Sequence, residues 1–183
     1  MASRTIRAAG FSRDTLAFLR LLSQHRVRYV IVGGEAVIFH GYPRVTGDVD
    51  FFYENTAANA DRLFDALLKF WDGRVPGVTS AGDLREPGII IQFGRPPHRI
   101  DLLNRIDGVS FSQAWNSRIR VALKAASGSV PAIYVSLVPL LTNKRATGRP
   151  KDVEDARYLA SRLKFIRSQS VKREKRRRGS HES

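Results

Sequence analysis

The sequence predicts an α/β fold in one compact domain, on three observations. Short β-branched and aromatic runs alternate with stretches of helical periodicity. A length of 183 residues is enough for one sizeable core but not for two full domains. The 43% hydrophobic content is that of an ordinary globular chain. The domain is expected to span residues 1–167, its helical C-terminal part at about 137–165, with a basic disordered tail at 168–183.

The elements follow in order. Ser12 reads as the N-cap of a first helix, with Asp14 in its first turn and Leu16, Phe18, Leu19, Leu21 and Leu22 on its apolar side as far as about His25. Residues 27–32 (VRYVIV) read as a buried strand that stops at the Gly33-Gly34 turn. Residues 35–40 (EAVIFH) form a helix of under two turns, closed by Gly41 with Pro43 just beyond. Residues 48–54 (DVDFFYE), bounded by Gly47 and Asn55, read as a strand. A helix follows over 57–71, where Leu63, Phe64, Leu67, Leu68 and Trp71 recur at three- and four-residue spacing.

Residues 87–93 and 98–103 look like a hairpin around Gly94-Arg95-Pro96-Pro97. A short helix over 110–117 precedes short strands at 119–123 and 132–135, with Gly128 and Pro131 marking the loop between them. Residues 137–145 form a helix. Pro150 suits the first turn of another, in which Val153, Ala156, Ala160 and Leu163 share a stripe.

Composition excludes several classes. Without cysteine there is neither a disulfide framework nor a thiolate metal site, so a bound metal would take oxygen or imidazole ligands. No run reaches the roughly 20 apolar residues of a membrane span, and no signal-peptide core follows the basic N-terminus, so the expected location is the cytoplasm, away from membranes. The net charge of +14 suggests a polyanionic partner. Residues 172–183 hold six Lys/Arg against two Glu, so the body carries most of the excess.

Asp48 and Asp50 are two apart on a strand, so both carboxylates leave the same face. Such a pair is relieved by a hard cation of the Mg²⁺ kind, although an isolated D-x-D also reads as a strand-end cap beside a solvated carboxylate. The Gly33-Gly34 turn would let backbone N–H groups approach a phosphate, or simply connect strand to helix. Asp101, in the apolar stretch Ile100-Asp101-Leu102-Leu103, either has a partner or lines a cleft. As a third carboxylate it would serve as metal ligand and draw the proton from an acceptor hydroxyl. His25, His40 and His98 are too dispersed for a metal site, and Phe51, Phe52, Phe64 and Trp71 read as core.

The stretch VGGEAVIFHGYPRVTGDVDFF at 32–52 resembles the first motif of minimal nucleotidyltransferases of the polymerase β superfamily, the AbiEii/AbiGii toxin-like branch. It contains the glycine pair, Arg44, Thr46 and both aspartates. A weaker similarity continues over LTNKRATGRPKDVEDARYL at 141–159. The resemblance implies a mixed β-sheet flanked by helices, two Mg²⁺ ions (Mn²⁺ able to substitute) held by Asp48, Asp50 and Asp101, and transfer of a nucleoside monophosphate from an NTP such as ATP. It implies that Gly33, Gly34, Arg44, Thr46 and Lys144 meet the nucleotide. Asp152 and Asp155 would orient basic side chains, or else cap their helix and pair with Lys151. Glu35 departs from the superfamily pattern, placing an acid near the triphosphate where serine is usual. The implied acceptor is RNA, tRNA included, or a protein, and the implied setting includes a cognate antitoxin or partner protein. The competing reading is a catalytically inactive module of the same fold that binds RNA or nucleotide and regulates a partner.

Overall fold

Phe51 and Phe52 are neighbours on an extended strand, so their rings leave opposite faces of it, and both are buried. A strand covered on both sides requires helices on both sides of its sheet. The computed structural model describes residues 4–8, 10–126 and 128–179. In chain order the elements are β1 (Arg4–Arg7), α1 (Arg13–Gln24), β2 (Tyr29–Ile31), α2 (Gly33–Phe39), β3 (Asp48–Tyr53) and α3 (Ala57–Phe70). After a 3-10 turn at Asp83–Arg85 come β4 (Ile90–Phe93), β5 (Arg99–Leu103), α4 (Phe111–Asn116), β6 (Ile119–Ala125), β7 (Gly128–Tyr134), α5 (Leu137–Thr147) and α6 (Pro150–Gly179).

The strands form one mixed seven-stranded sheet in the order β1-β6-β7-β2-β3-β5-β4. On one face Phe18 of α1 meets Phe51 edge-on at 5.5 Å and Phe70 of α3 at 5.2 Å. On the other, Phe111 of α4 meets Phe52 at 5.3 Å. The α/β class and the flanked mixed sheet are as the sequence predicts. Ser12 caps α1 by accepting from the Thr15 N–H, and Ser110 closes a capping box with Gln113 on α4.

Four expectations change. Strand β1 was not anticipated; it lies parallel to β6 at the sheet edge, where four residues, two of them arginine, leave almost no hydrophobic pattern to read. Pro131, placed in a loop by sequence, lies inside β7 opposite Ala122 of β6. Strand β2 pairs with β7 only at Tyr134, so the missing N–H of Pro131 removes no bond to β2. Val153 is 40% exposed, and Leu159, fully buried, takes its place in the inward stripe of α6. Residues 168–179, expected to be disordered, continue α6, since no Gly or Pro interrupts 151–178 and Lys, Arg, Glu and Gln favour helix. Positions 180–183 of that expected tail lie outside the described residues.

Candidate active site

Strands β3 and β5 run parallel, and their register sets Asp50 beside Asp101 and Asp48 beside Arg99. Gln92 of the antiparallel β4 lies beside Asp101 in turn. All five side chains therefore leave the same face, that of Phe52. Arg99 bridges the carboxylates: its Nη2 donates to Asp48 Oδ2 at 2.7 Å and Asp101 Oδ2 at 2.9 Å, and its Nε to Asp101 Oδ1 at 2.6 Å. Gln92 Nε2 donates to Asp101 Oδ2 at 2.8 Å. Asp101, only 4% exposed, thus has both oxygens satisfied. Its carboxylate thus has partners in Arg99 and Gln92.

Asp50 differs from both neighbours. Its carboxylate accepts no side-chain hydrogen bond among the described residues. Burial first, then the charges of Asp48 and Asp101, push its carboxyl up to about 7, while Lys144 and Arg99 pull the other way. Thr46 Oγ1 donates to Asp48 Oδ1 at 3.0 Å and so holds the first aspartate of the pair.

The glycine pair is explained by these side chains. Gly33, at φ +61°, opens α2, and a Cβ built on it would lie 1.8 Å from Asp50 Oδ2. A Cβ on Gly34 would lie 2.6 Å from Thr46 Oγ1 and 3.6 Å from Arg44 Nη2. The side chains of Asp50 and Thr46 thus lie directly against the backbone of the turn. Glu35, expected near the triphosphate, is instead buried in the core and accepts from the Tyr134 hydroxyl of β7 at 3.2 Å. Burial raises its carboxyl to about 7, with the Tyr134 bond opposing. The first turn of a short helix flanked by buried strands leaves that side chain an inward direction, which its polarity concealed.

A second cluster ties the late motif to the early one. Lys144 of α5, buried, donates to Asp152 Oδ1 at 2.6 Å and pairs with Asp155 Oδ2 at 3.0 Å. Arg44 Nη1 reaches the same Asp155 oxygen at 2.5 Å, and Arg149 Nε reaches Asp152 Oδ2 at 2.7 Å. Asp155 therefore engages Arg44 and Lys144 where the sequence suggested Lys151. Burial would raise Asp152, but its bonds from Lys144 and Arg149 outweigh it and hold the carboxyl below the ordinary range. Arg149 is raised chiefly by Asp152, with Asp50 and Asp107 adding to the effect.

The predicted residues Asp48, Asp50, Asp101, Gly33, Gly34, Arg44, Thr46 and Lys144 thus fall into two adjoining groups, the acidic strand ends and the buried ion cluster. The sequence reading missed Arg99, Gln92 and Arg149. Arg99 could have been found from alternation, two residues before Asp101 on the same strand face, and Gln92 from the hairpin register. No set of three or more His, Asp or Glu side chains is gathered to hold a metal ion among the described residues. The cation found among the three aspartates is Arg99.

The chain belongs to the DUF6036 family, described as a nucleotidyltransferase of unknown function, which matches residues 14–164. A search of curated proteins found no match. Among the described residues no helix is long and apolar enough to cross a membrane.

Proposed function

We propose that this protein transfers a nucleoside monophosphate from an NTP to an RNA acceptor, with Asp48, Asp50 and Asp101 at the reacting centre. The carrying observation is the β3–β5 register, which sets Asp50 beside Asp101 at the glycine turn. The acceptor hydroxyl oxygen bonds to the α-phosphorus, the bond from that phosphorus to the bridging β-phosphate oxygen breaks, and pyrophosphate leaves.

The carboxylate oxygens are donors of the kind Mg²⁺ or Mn²⁺ takes, and the set would gather to hold an ion only once Arg99 leaves Asp48 and Asp101. Three carboxylates share one strand face, and Asp50 is raised to about 7 partly by the charges of the other two. Asp48, Asp50 and Asp101 would hold the ion or ion pair, which supplies charge neutralisation to the triphosphate and the leaving group. The chain's own residues do the rest. Arg99 must turn from Asp48 and Asp101 for them to act, and its guanidinium fork then suits a phosphate. Both Asp101 oxygens are occupied by Arg99 and Gln92, so Asp101 accepts the hydroxyl proton only after the same movement. Arg44, steadied by Asp155 beside Gly34, would meet the triphosphate. Lys144 acts through Asp152 and Asp155, as a positioning residue for Arg44 and Arg149.

The likeness of residues 32–52 to the AbiEii/AbiGii branch supports a toxin–antitoxin setting in which a cognate protein restrains the activity. A second reading draws on Arg99 itself: an arginine held on two carboxylates also suits an inactive module that binds RNA and regulates a partner. One experiment separates them. Wild type incubated with each α-labelled NTP, Mg²⁺ and total RNA is expected to label RNA, and Asp50→Ala is expected to label none. Labelling confined to protein would replace the acceptor, and absence of labelling with every nucleotide would support the inactive module.

A further inference from the structure

Helix α6 outlasts the body it packs on. As far as Leu159 it buries Asp152, Asp155, Ala156 and Leu159 against its surroundings, but Phe165, Ile166 and Val171 are 54%, 43% and 53% exposed. At 100° per residue Phe165 and Val171 lie on different sides, so the projecting part has no apolar face with which to join a protein core. Residues 162–178 contain nine Lys/Arg, six of them arginine, and one acid, Glu174. Like charges recur at helical neighbour spacing, as in Lys172 with Arg176 and Arg173 with Arg177, which opposes the helix unless anions lie along it.

One face of this helix also leads back toward the catalytic body. Val153, Ala156, Arg157 and Ala160 line a groove of about 330 Å³, whose other wall is Lys144 and Arg145 of α5. Continuing from Ala160 at steps of three and four, the same face carries Lys164, Arg167 and Val171. From Val153 to Val171 the path is about 27 Å long at the rise of an α-helix. Arg145, Arg157, Lys164 and Arg167 are exposed and form no salt bridge among the described residues. The groove end adjoins Lys144, whose partner Asp155 also holds Arg44 beside the Gly33-Gly34 turn, against which Asp50 lies.

We infer that this face of α6, with Arg145 across the groove, is a docking track for the phosphate backbone of RNA, leading from the projecting helix to the acidic site. A row of unpaired, arginine-rich cations, interspersed with only small or isolated apolar side chains, fits a regular polyanion that is read by charge and not by base. The identity of the bound polymer as acceptor rests on the proposed transfer reaction, but its binding does not.

The test is fluorescence anisotropy of the full chain with a labelled 20-nucleotide single-stranded RNA, from 50 to 300 mM KCl. The triple variant Arg157→Gln/Lys164→Gln/Arg167→Gln, with its melting temperature checked, is expected to bind about tenfold more weakly at 100 mM. The slope of log affinity against log salt should become shallower by about 2, as the loss of three single-strand phosphate contacts requires. Arg62→Gln/Lys69→Gln/Arg74→Gln on and after α3 is expected to bind as wild type. Unchanged binding by the first variant, or an equal loss in the α3 variant, would overturn the track. Competition by polyglutamate as effective as by unlabelled RNA would overturn the assignment to nucleic acid. Normal RNA binding without any transfer would defeat the proposed reaction and leave the track standing.

Discussion

Replacing Asp50 by asparagine should make the protein more stable at pH 8 while abolishing transfer. The folded carboxyl titrates at about 7 against 3.8 for an unperturbed aspartate. A raised folded value means that the folded state holds the proton more tightly, so the stabilisation is complete below about pH 4 and is lost as pH rises through 7. A difference of some three pKa units corresponds to about 4 kcal/mol at pH 8. Asparagine keeps the shape without the charge beside Asp48 and Asp101. In urea melts with EDTA from pH 4.5 to 8.5, the variant is expected to gain on wild type progressively and to exceed it by up to about 4 kcal/mol at the alkaline end. Equal or lower stability at pH 8 would refute the account of Asp50 as a buried, repelled carboxylate.

Three further outcomes can be checked with the same preparations. Glu35→Gln should flatten a separate part of the pH profile: a folded value of about 7 against 4.5 costs wild type about 3 kcal/mol by pH 8, which the variant recovers without change in metal affinity. Gly33→Ala combines a left-handed φ with a Cβ 1.8 Å from Asp50 Oδ2, so it should lose at least about 1–2 kcal/mol by denaturant melts and also lose transfer activity. Lys144→Met leaves Asp152 and Asp155 without their ammonium, a cost of about 3–5 kcal/mol in thermal unfolding, and adding Asp152→Asn should return part of it.

Most of the sheet was legible because its strands carry β-branched and aromatic runs bounded by glycine, as 48–54 does, and the helices because of capping serines and apolar stripes. Asp48, Asp50 and Asp101 stood out as carboxylates on apolar strands. Local pattern does not reveal what lies opposite. The Lys144–Asp152–Asp155–Arg44 cluster joins residues about a hundred positions apart in the chain, and charge alone could not distinguish a buried lysine from a solvated one. The inward turn of Glu35 and the pairing of Arg99 with both flanking aspartates likewise follow from register and packing, which no short motif encodes. Strand β1 was lost for the opposite reason, having too few residues to show any period.

The bond from Arg44 to Asp155 has a consequence for how the protein comes into being. Every aspartate of the acidic centre precedes residue 102, yet the loop that delivers Asp48 is fastened to a helix that begins at Pro150. A fragment ending after β7 would contain the whole acidic set and lack the clasp that orients its entrance. The site is therefore completed only when α6, the last element of the fold, packs back onto the loop.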